Sequence, residues 1–235
     1  MDLIESNKEN INRHPWELSR VHCMIKEIIK YHKNGDILDI GCGDSYFDYQ
    51  LMNSLDSFDK FYGIDIFAEN EIHDKKYHVV NDYKKLKNKK FDTILMFDVL
   101  EHIENDEDFL KKTVYPLLKN DGKIIMTVPA YQFLFSKHDK KLKHYRRYNI
   151  KRIKDISLKS GFKIINYYYF YFSLVILRLI TKLFNKDNEV NSWKYDKNNM
   201  FTKIIKGILN IDYNICKKMN KLSFGLSLFI VLEKE

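Results

Sequence analysis

Three groups of residues have types and spacing that suit chemistry. The first lies in DILDIGCGDSYF, residues 36–47, where a short apolar run ends in Asp39 and is followed by Gly41 and Gly43. Such glycines let a backbone turn tightly beside a ligand, where a Cβ would intrude. A dinucleotide fingerprint would want a third small residue where Tyr46 stands, and no Gly-Lys-Ser/Thr follows to cradle phosphates. Asp39 would repel phosphate and favour a cationic ligand. Asp65 closes a second apolar run 22 residues after Gly43, near the ~20-residue offset at which an acidic side chain accepts from ribose hydroxyls. Asp82 follows a third run, YHVV, where it could accept from an adenine amino group. Each aspartate alone reads as a cap or turn former; in this order the three describe a site for an adenosyl ligand with positive charge and no phosphate.

The second group is Asp98-x-x-Glu101-His102, two carboxylates and an imidazole in one short stretch. The third is SKHDKKLKHYRRYN, residues 136–149. Its His138 and His144 are natural bases near neutral pH, and Arg146 or Arg147 could grip a phosphate or carboxylate through two hydrogen bonds. The competing reading has His144 and Tyr148 packing a lid while the arginines pair with acids.

The elements that must position these groups alternate. A helical period over 15–31 is stopped by Asn34-Gly35, and short apolar runs at 36–40, 61–66, 77–80, 91–97 and 123–128 read as strands. Helical segments are expected at 46–55, about 103–118 and 150–159. A β-prone run at 162–172 leads into a helix, a polar stretch at 185–199, a helix at 201–219 and a terminal strand at 224–234. This alternation predicts an α/β fold with a mainly parallel sheet, whose carboxyl edge binds ligands. One domain over 1–235 is expected: an N-terminal helical segment 1–34, a core 35–172, a helical insertion 173–222 and a terminal strand 223–235.

The sequence resembles the class I S-adenosylmethionine-dependent methyltransferases from about Trp16 to its end. LDIGCG, GIDI, FDTILMFDVLEHI, DGKIIMTVPAY and the terminal strand carry the likeness, and HYRRY at 144–148 is similar to a bacterial branch of that superfamily. The resemblance implies a Rossmann-like sheet of seven strands, mostly parallel, with an antiparallel C-terminal strand and a helical cap. It implies that Asp39, Gly41, Cys42 and Gly43 line the methionine part of the cofactor, and that Asp65 and Ile66 meet the ribose. Asp82 and Tyr83 would flank adenine, with Phe97 and Asp98 beside the sulfonium. His14 and Trp16 resemble an aromatic N-terminal segment that closes over the cofactor. Ser45 stands where the family often has a third glycine. The Asp98/Glu101/His102 group is similar to a magnesium site of some quinone-biosynthesis and small-RNA methyltransferases, yet the Glu-His pair recurs in metal-free relatives, so Mg2+ is not expected.

Composition narrows the function classes. With 45% hydrophobic residues, 16 Phe and 16 Tyr among 235 residues, the chain is no disordered polyelectrolyte. Cys23, Cys42 and Cys216 are too scattered for a disulfide framework or zinc site, and the first sixteen residues lack a signal-peptide core. A cytoplasmic protein is expected, at most peripheral at the inner membrane surface. The net charge of +8 arises within 132–163, where eleven basic residues meet two acidic ones. The apolar region 164–184 has the length of a membrane span but is interrupted by Asn166, Arg178, Thr181 and Lys182, so core packing or interfacial contact is expected instead. The function expected is O-methylation of a hydroxyl on a cell-surface glycan, a lipid-linked sugar or a lipid-like small molecule. Methylation of RNA, disfavoured for want of an added RNA-binding domain, and a non-catalytic adenosyl-binding scaffold are the alternatives.

Overall fold

The structure is a computed structural model that describes residues 13–68, 71–183 and 199–235. Its strands are β1 (Ile37–Ile40), β2 (Phe61–Ile64), β3 (Ile72–His73), β4 (Tyr77–Val80), β5 (Phe91–Phe97), β6 (Leu118–Pro129), β7 (Phe162–Phe170) and β8 (Ser227–Lys234). They form one sheet in the order β3-β4-β2-β1-β5-β6-β8-β7. β4, β2, β1, β5 and β6 pair in parallel, whereas β8 runs antiparallel between β6 and β7. The sheet therefore has eight strands where seven were expected. The extra one is the two-residue β3, which pairs antiparallel with β4 through Ile72–Val79 and His73–His78. An element that short carries no hydrophobic period to read.

Chain order explains where a ligand must sit. From β1 the chain fills one side of the sheet with β2 and β4, then crosses to lay β5 on the other side of β1. The carboxyl end of β1 is thus the point at which strand order reverses, and such a point opens a crevice. Alternating side chains divide the core: Leu38, Ile94 and Ile124 face one layer, and Ile37, Leu95 and Ile125 the other.

The helices are α1 (Pro15–Tyr31), α2 (Tyr46–Met52), α3 (Asp106–Phe109), α4 (Tyr115–Leu117), α5 (Lys137–Lys141), α6 (Ile150–Lys159), α7 (Phe172–Leu183) and α8 (Met200–Met219). α1 and α8 supply Met24, Ile28, Leu209 and Tyr213 to the second layer, while Leu110, Val114 and Ile153 fill the first. The helix expected at about 103–118 runs without interruption over 106–117 but widens into a π-helical stretch at Leu110–Val114 between α3 and α4. Pro116 supplies the reason, since it offers no N–H and its ring crowds the preceding turn. The segment after β6 was expected as a loop; it forms a short 3-10 turn and α5 before Tyr148 returns to bridge Ala130. α7 and α8 stand between β7 and β8. Most of the polar stretch 185–199 lies outside the described residues.

Gly161, after α6, has φ +82°, and a Cβ there would meet Tyr115 Cε2 at 2.9 Å. Gly161→Ala should cost about 1–2 kcal/mol through the left-handed penalty, with more from the ring contact. Urea unfolding checks this; an unchanged midpoint would show that Tyr115 and the turn relax freely.

Candidate active site

Gly41 and Gly43 leave β1 with φ values of +79° and +57°. A Cβ on Gly41 would meet Val99 Cγ2 at 2.7 Å, so that turn accepts only glycine. Ser45 has φ +63°, so the position that departs from the family pattern still takes the conformation for which glycine is the unstrained residue. Cys42 is buried beside it.

Asp65, just past β2, fastens this turn. Its Oδ2 accepts from the Gly43 N–H at 3.0 Å and its Oδ1 from the Phe67 N–H at 2.9 Å. Each oxygen keeps further acceptor capacity, which suits a pair of ribose hydroxyls. The apolar side chains of Ile66 and Phe67 are exposed next to it. Asp82 is half-buried past β4, where its Oδ1 accepts from the Lys84 N–H at 2.8 Å and caps a short 3-10 turn. Tyr83 opens that turn and meets the Phe109 ring edge-on at 6.0 Å. Because Ile64 and Val80 are in register, Asp65 and Asp82 leave the sheet at one edge.

Asp39 lies in the sheet beneath the glycine turn. It is 3% exposed, and its Oδ1 has no hydrogen-bond partner. Burial pushes its carboxyl up to about 6, against a hydrogen bond from Asp48. Asp48 in α2 is raised well above the ordinary carboxylate value by burial and by the charge of Asp39, and its Oδ2 accepts from Tyr77 Oη at 2.7 Å. Asp48 is thus the protonated partner. The unpartnered oxygen of Asp39 is what a cofactor ammonium would satisfy, so the residues present fit S-adenosylmethionine.

β5 ends in Phe97, which packs edge-on against Phe47 at 5.0 Å, and Asp98, which has φ +54°. Asp98 Oδ1 accepts from Thr127 Oγ1 at 3.1 Å, and its Oδ2 pairs with Arg20 of α1. Arg20 also donates to Thr127 Oγ1 at 2.6 Å and lies 5.2 Å from the Trp16 ring. Arg13 pairs with Glu17 and Asp44 and stacks at 3.8 Å on Tyr46, while His14 caps α1. The start of α1 therefore reaches across to the glycine turn and to β5. Sequence reasoning missed Arg20; its position one helical turn after Trp16 was the available signal.

The lid is organised around Asp139, whose side chain is fully buried. It accepts from Arg147 Nε at 2.8 Å, His144 Nδ1 at 3.2 Å, an Arg178 amine at 3.1 Å and the Ser136 N–H at 2.9 Å. Burial alone would raise its pKa, but His144 and Arg147 hold it well below the usual carboxylate range. His138 is half-buried, and burial, then the Arg178 charge, lowers its pKa. Arg146 donates to Ile103 O at 2.9 Å and Glu104 O at 2.7 Å and pairs with Asp106 at 3.1 Å. Both arginines were expected to reach an anionic acceptor; instead Asp106 and Asp139, buried nearby, take their charge.

The lid meets the segment after β5 directly: Tyr145 N–H donates to Glu101 O at 2.8 Å, and the His102 and His144 rings lie 4.6 Å apart. Donor atoms of Glu101, His102 and His144 lie within 4.8 Å of one another. Asp98 is outside this group, held by Arg20 and Thr127. Two imidazoles and one carboxylate do not suit magnesium, which prefers an octahedron of oxygens.

Sheet order, glycine turn and acidic strand ends define a Rossmann-like nucleotide-binding class of enzyme. The model of the methyltransferase-domain family matches residues 22–167, more than half of the chain, and the chain belongs to that family. Those residues form a methyltransferase domain. A ubiquinone biosynthesis O-methyltransferase of Pelagibacter ubique (strain HTCC1062) is 38% identical over 100 residues, which cover 38% of this chain and 40% of that relative. The chain thus matches less than half the length of that relative. Among solved structures, a SAM-dependent methyltransferase from Archaeoglobus fulgidus superposes with a TM-score of 0.52 and 20% identity over 94% of each chain. The N-methyltransferase NodS from Bradyrhizobium japonicum WM9, solved with S-adenosylhomocysteine, gives 0.53 and 13% identity over 71% of this chain and 85% of its own.

Two measurements probe the cofactor side. Asp65→Ala should weaken S-adenosylmethionine binding by about 1–3 kcal/mol, the usual cost of lost hydrogen bonds; calorimetry showing unchanged affinity would remove Asp65 from the site. Because burial raises Asp39, the folded protein keeps a proton that the unfolded chain has released between about pH 4 and about 6. The stability tied to that proton is complete below the lower value and is lost as pH rises through the upper one. Asp39→Asn removes that titrating carboxyl and should flatten this slope in thermal unfolding. An unaltered slope would mean that Asp39 does not carry the proton.

Proposed function

We propose that this methyltransferase transfers its methyl group to a hydroxyl oxygen of a lipid-like or lipid-linked acceptor, glycan carriers included, at the inner face of a membrane. The single observation that carries the reading is an imidazole at the carboxyl edge of the sheet, His144, held by a buried, ionised Asp139. A hydroxyl needs its proton removed as it attacks, and a base oriented by a second group is the arrangement that does so. The likeness to an O-methyltransferase of ubiquinone biosynthesis supports oxygen as the target and a lipid as the acceptor class.

S-adenosylmethionine supplies a methyl group already activated by its sulfonium. Asp39, Gly41, Cys42 and Gly43 hold its amino-acid end, Asp65 and Ile66 its ribose, Asp82 and Tyr83 its base, and Phe97 and Asp98 close the methyl side. With Asp139 accepting at Nδ1, Nε2 of His144 is the atom that takes the acceptor proton. When bound, the cofactor would give up its methyl carbon to the acceptor oxygen, its carbon–sulfur bond breaking to leave a neutral thioether. His138, kept neutral by burial and by Arg178, is the second candidate base. Arg146 and Arg147 set the lid's shape through Asp106 and Asp139 and position His144.

A non-catalytic scaffold would not need a base–carboxylate pair, and an RNA substrate would need the basic segment's charge on the surface. Three of that segment's eleven basic residues are spent inward, since Arg146 and Arg152 pair with Asp106, and Arg147 with Asp139, while its eight lysines are exposed.

His144→Gln should slow turnover by ~10²–10⁴-fold with cofactor affinity unchanged. His138→Gln serves as the comparison, and near-normal turnover in both variants would remove the imidazole from the chemistry. Activity should survive EDTA. Labelled methyl transferred into fractionated extract of the source cell should appear with lipid or lipid-linked glycan; label in RNA or protein would refute the acceptor class.

A further inference from the structure

The mechanism leaves unused the outer face of α7 and α8. Along α8, Ile204, Ile208, Ile211, Ile215 and Met219 recur every three or four residues, and each is 50–62% exposed. That spacing lines them along one face of a 20-residue helix, roughly 30 Å long. The opposite face is the one that packs, through Leu209, Tyr213 and Cys216. α7 adds exposed Phe172, Ile176 and Ile180. Exposed apolar surface this extended, in two adjoining helices, marks an interaction site rather than scattered surface leucines and isoleucines. No helix among the described residues is long and apolar enough to cross a membrane.

Charge decides what the face meets. α7 and α8 together contain six basic residues, of which Arg178 and Lys217 pair with the buried Asp139 and Glu27, and one acid, Asp212. Asp212 is spent on the start of α7, where it accepts from the Phe172 N–H at 3.2 Å and the Ser173 N–H at 2.9 Å. Lys203 and Lys218 are exposed on α8. Two copies packed through this face would bring lysine against lysine, whereas a negatively charged surface meets it with opposite charge. Apolar residues along one side of a helix with lysines beside them are what lets a helix lie in the headgroup boundary of a bilayer.

The face also leads to the catalytic edge. Phe172 at the start of α7 meets Phe224 at 6.3 Å, and Phe224 stacks at 4.4 Å on Tyr131, the second residue after β6. Aromatic rings therefore run from the exposed helices to the lid.

We propose that α7 and α8 dock this protein on an anionic lipid bilayer, with the aliphatic residues in the headgroup–acyl boundary and the lysines at the lipid phosphates. The use of the aromatic row as an acceptor path rests on the lipid-like acceptor proposed above; the docking itself does not.

Flotation of the full chain with vesicles tests this. The protein should float with vesicles of phosphatidylcholine and phosphatidylglycerol in equal parts, bind far less to phosphatidylcholine alone, and weaken as salt is raised. Lys203→Gln and Lys218→Gln should each weaken binding about fivefold. Ile208→Asp with Ile211→Asp should abolish it, while thermal midpoint and S-adenosylmethionine affinity stay at wild-type values. Failure of the wild type to float with anionic vesicles would overturn the proposal, as would binding that survives the double aspartate variant. So would a dimer in sedimentation velocity that the same variant dissociates, since a second copy would then own the face. Vesicle binding intact but labelled methyl in a non-lipid fraction would reject the acceptor class and leave the docking face standing.

Discussion

An ionised carboxylate cannot rest in a protein interior without a partner, and seven acids are buried among the described residues: Glu27, Asp39, Asp48, Asp65, Glu101, Asp106 and Asp139. How the acids are compensated fixes much of the architecture outside the sheet ladder. Asp139 draws in His144, Arg147 and Arg178 and so folds the lid. Asp106 collects Arg146, Arg152 and the Tyr148 hydroxyl, which ties that lid to the start of α3. Glu27 accepts from Tyr213 at 3.0 Å and pairs with Lys217, binding α1 to α8. Asp65 is satisfied by backbone N–H groups, and burial raises Asp39 and Asp48 toward their neutral forms. The three arginines within 132–163 are the counterweight to Asp106 and Asp139, while the eight lysines of that segment are exposed.

Strain gathers at the same place. Ser45, Asp98, Tyr131 and Tyr171 are non-glycine residues with φ between +54° and +64°, and they follow β1, β5, β6 and β7. β7 runs in the same direction as β6, because both are antiparallel to β8, so all four strands end at one edge. Left-handed backbone costs on the order of 1–2 kcal/mol per residue outside glycine, and it persists where the surroundings over-determine it. Asp98 illustrates the compensation: its strained backbone is pinned by Thr127 O at 3.0 Å and its side chain by Thr127 and Arg20.

The parallel strands were legible in the sequence because their period is strong. β4 and β5 fall within the residues the apolar runs mark, and α1 within its helical repeat. The glycine turn, Asp65 and Asp82 were legible as spacing after strands. What escaped were elements without a period and partnerships across distance. β3 has two residues, and the π-helical stretch in the helix after β5 comes from one proline. The burial of Asp39 and Asp48 together joins a strand to a helix, and α2 gives no sequence sign that Asp48 faces inward. The destinations of Arg146 and Arg147 were equally hidden, since a basic run looks the same whether its charges face water or a buried aspartate.

One residue links the proposed docking face to the proposed chemistry. Arg178 belongs to α7, yet its guanidinium reaches Asp139 at 3.1 Å and also bonds Ser136 at the start of α5. Asp139 is the acid that orients His144. A displacement of α7 therefore changes the number of cations on Asp139, and with it the strength of the Asp139–His144 hydrogen bond. α7 is also among the helices that would rest on a bilayer. If α7 rests on lipid as proposed, it would touch the surface on one side and the carboxylate partner of the proposed base on the other, so arrival at a surface would bear on the alignment of that base. That coupling gives a physical reason for placing a helical insertion between β7 and β8: its Phe172 meets Phe224, which leads to Tyr131 beyond β6, and its Arg178 meets the lid that carries the proposed base.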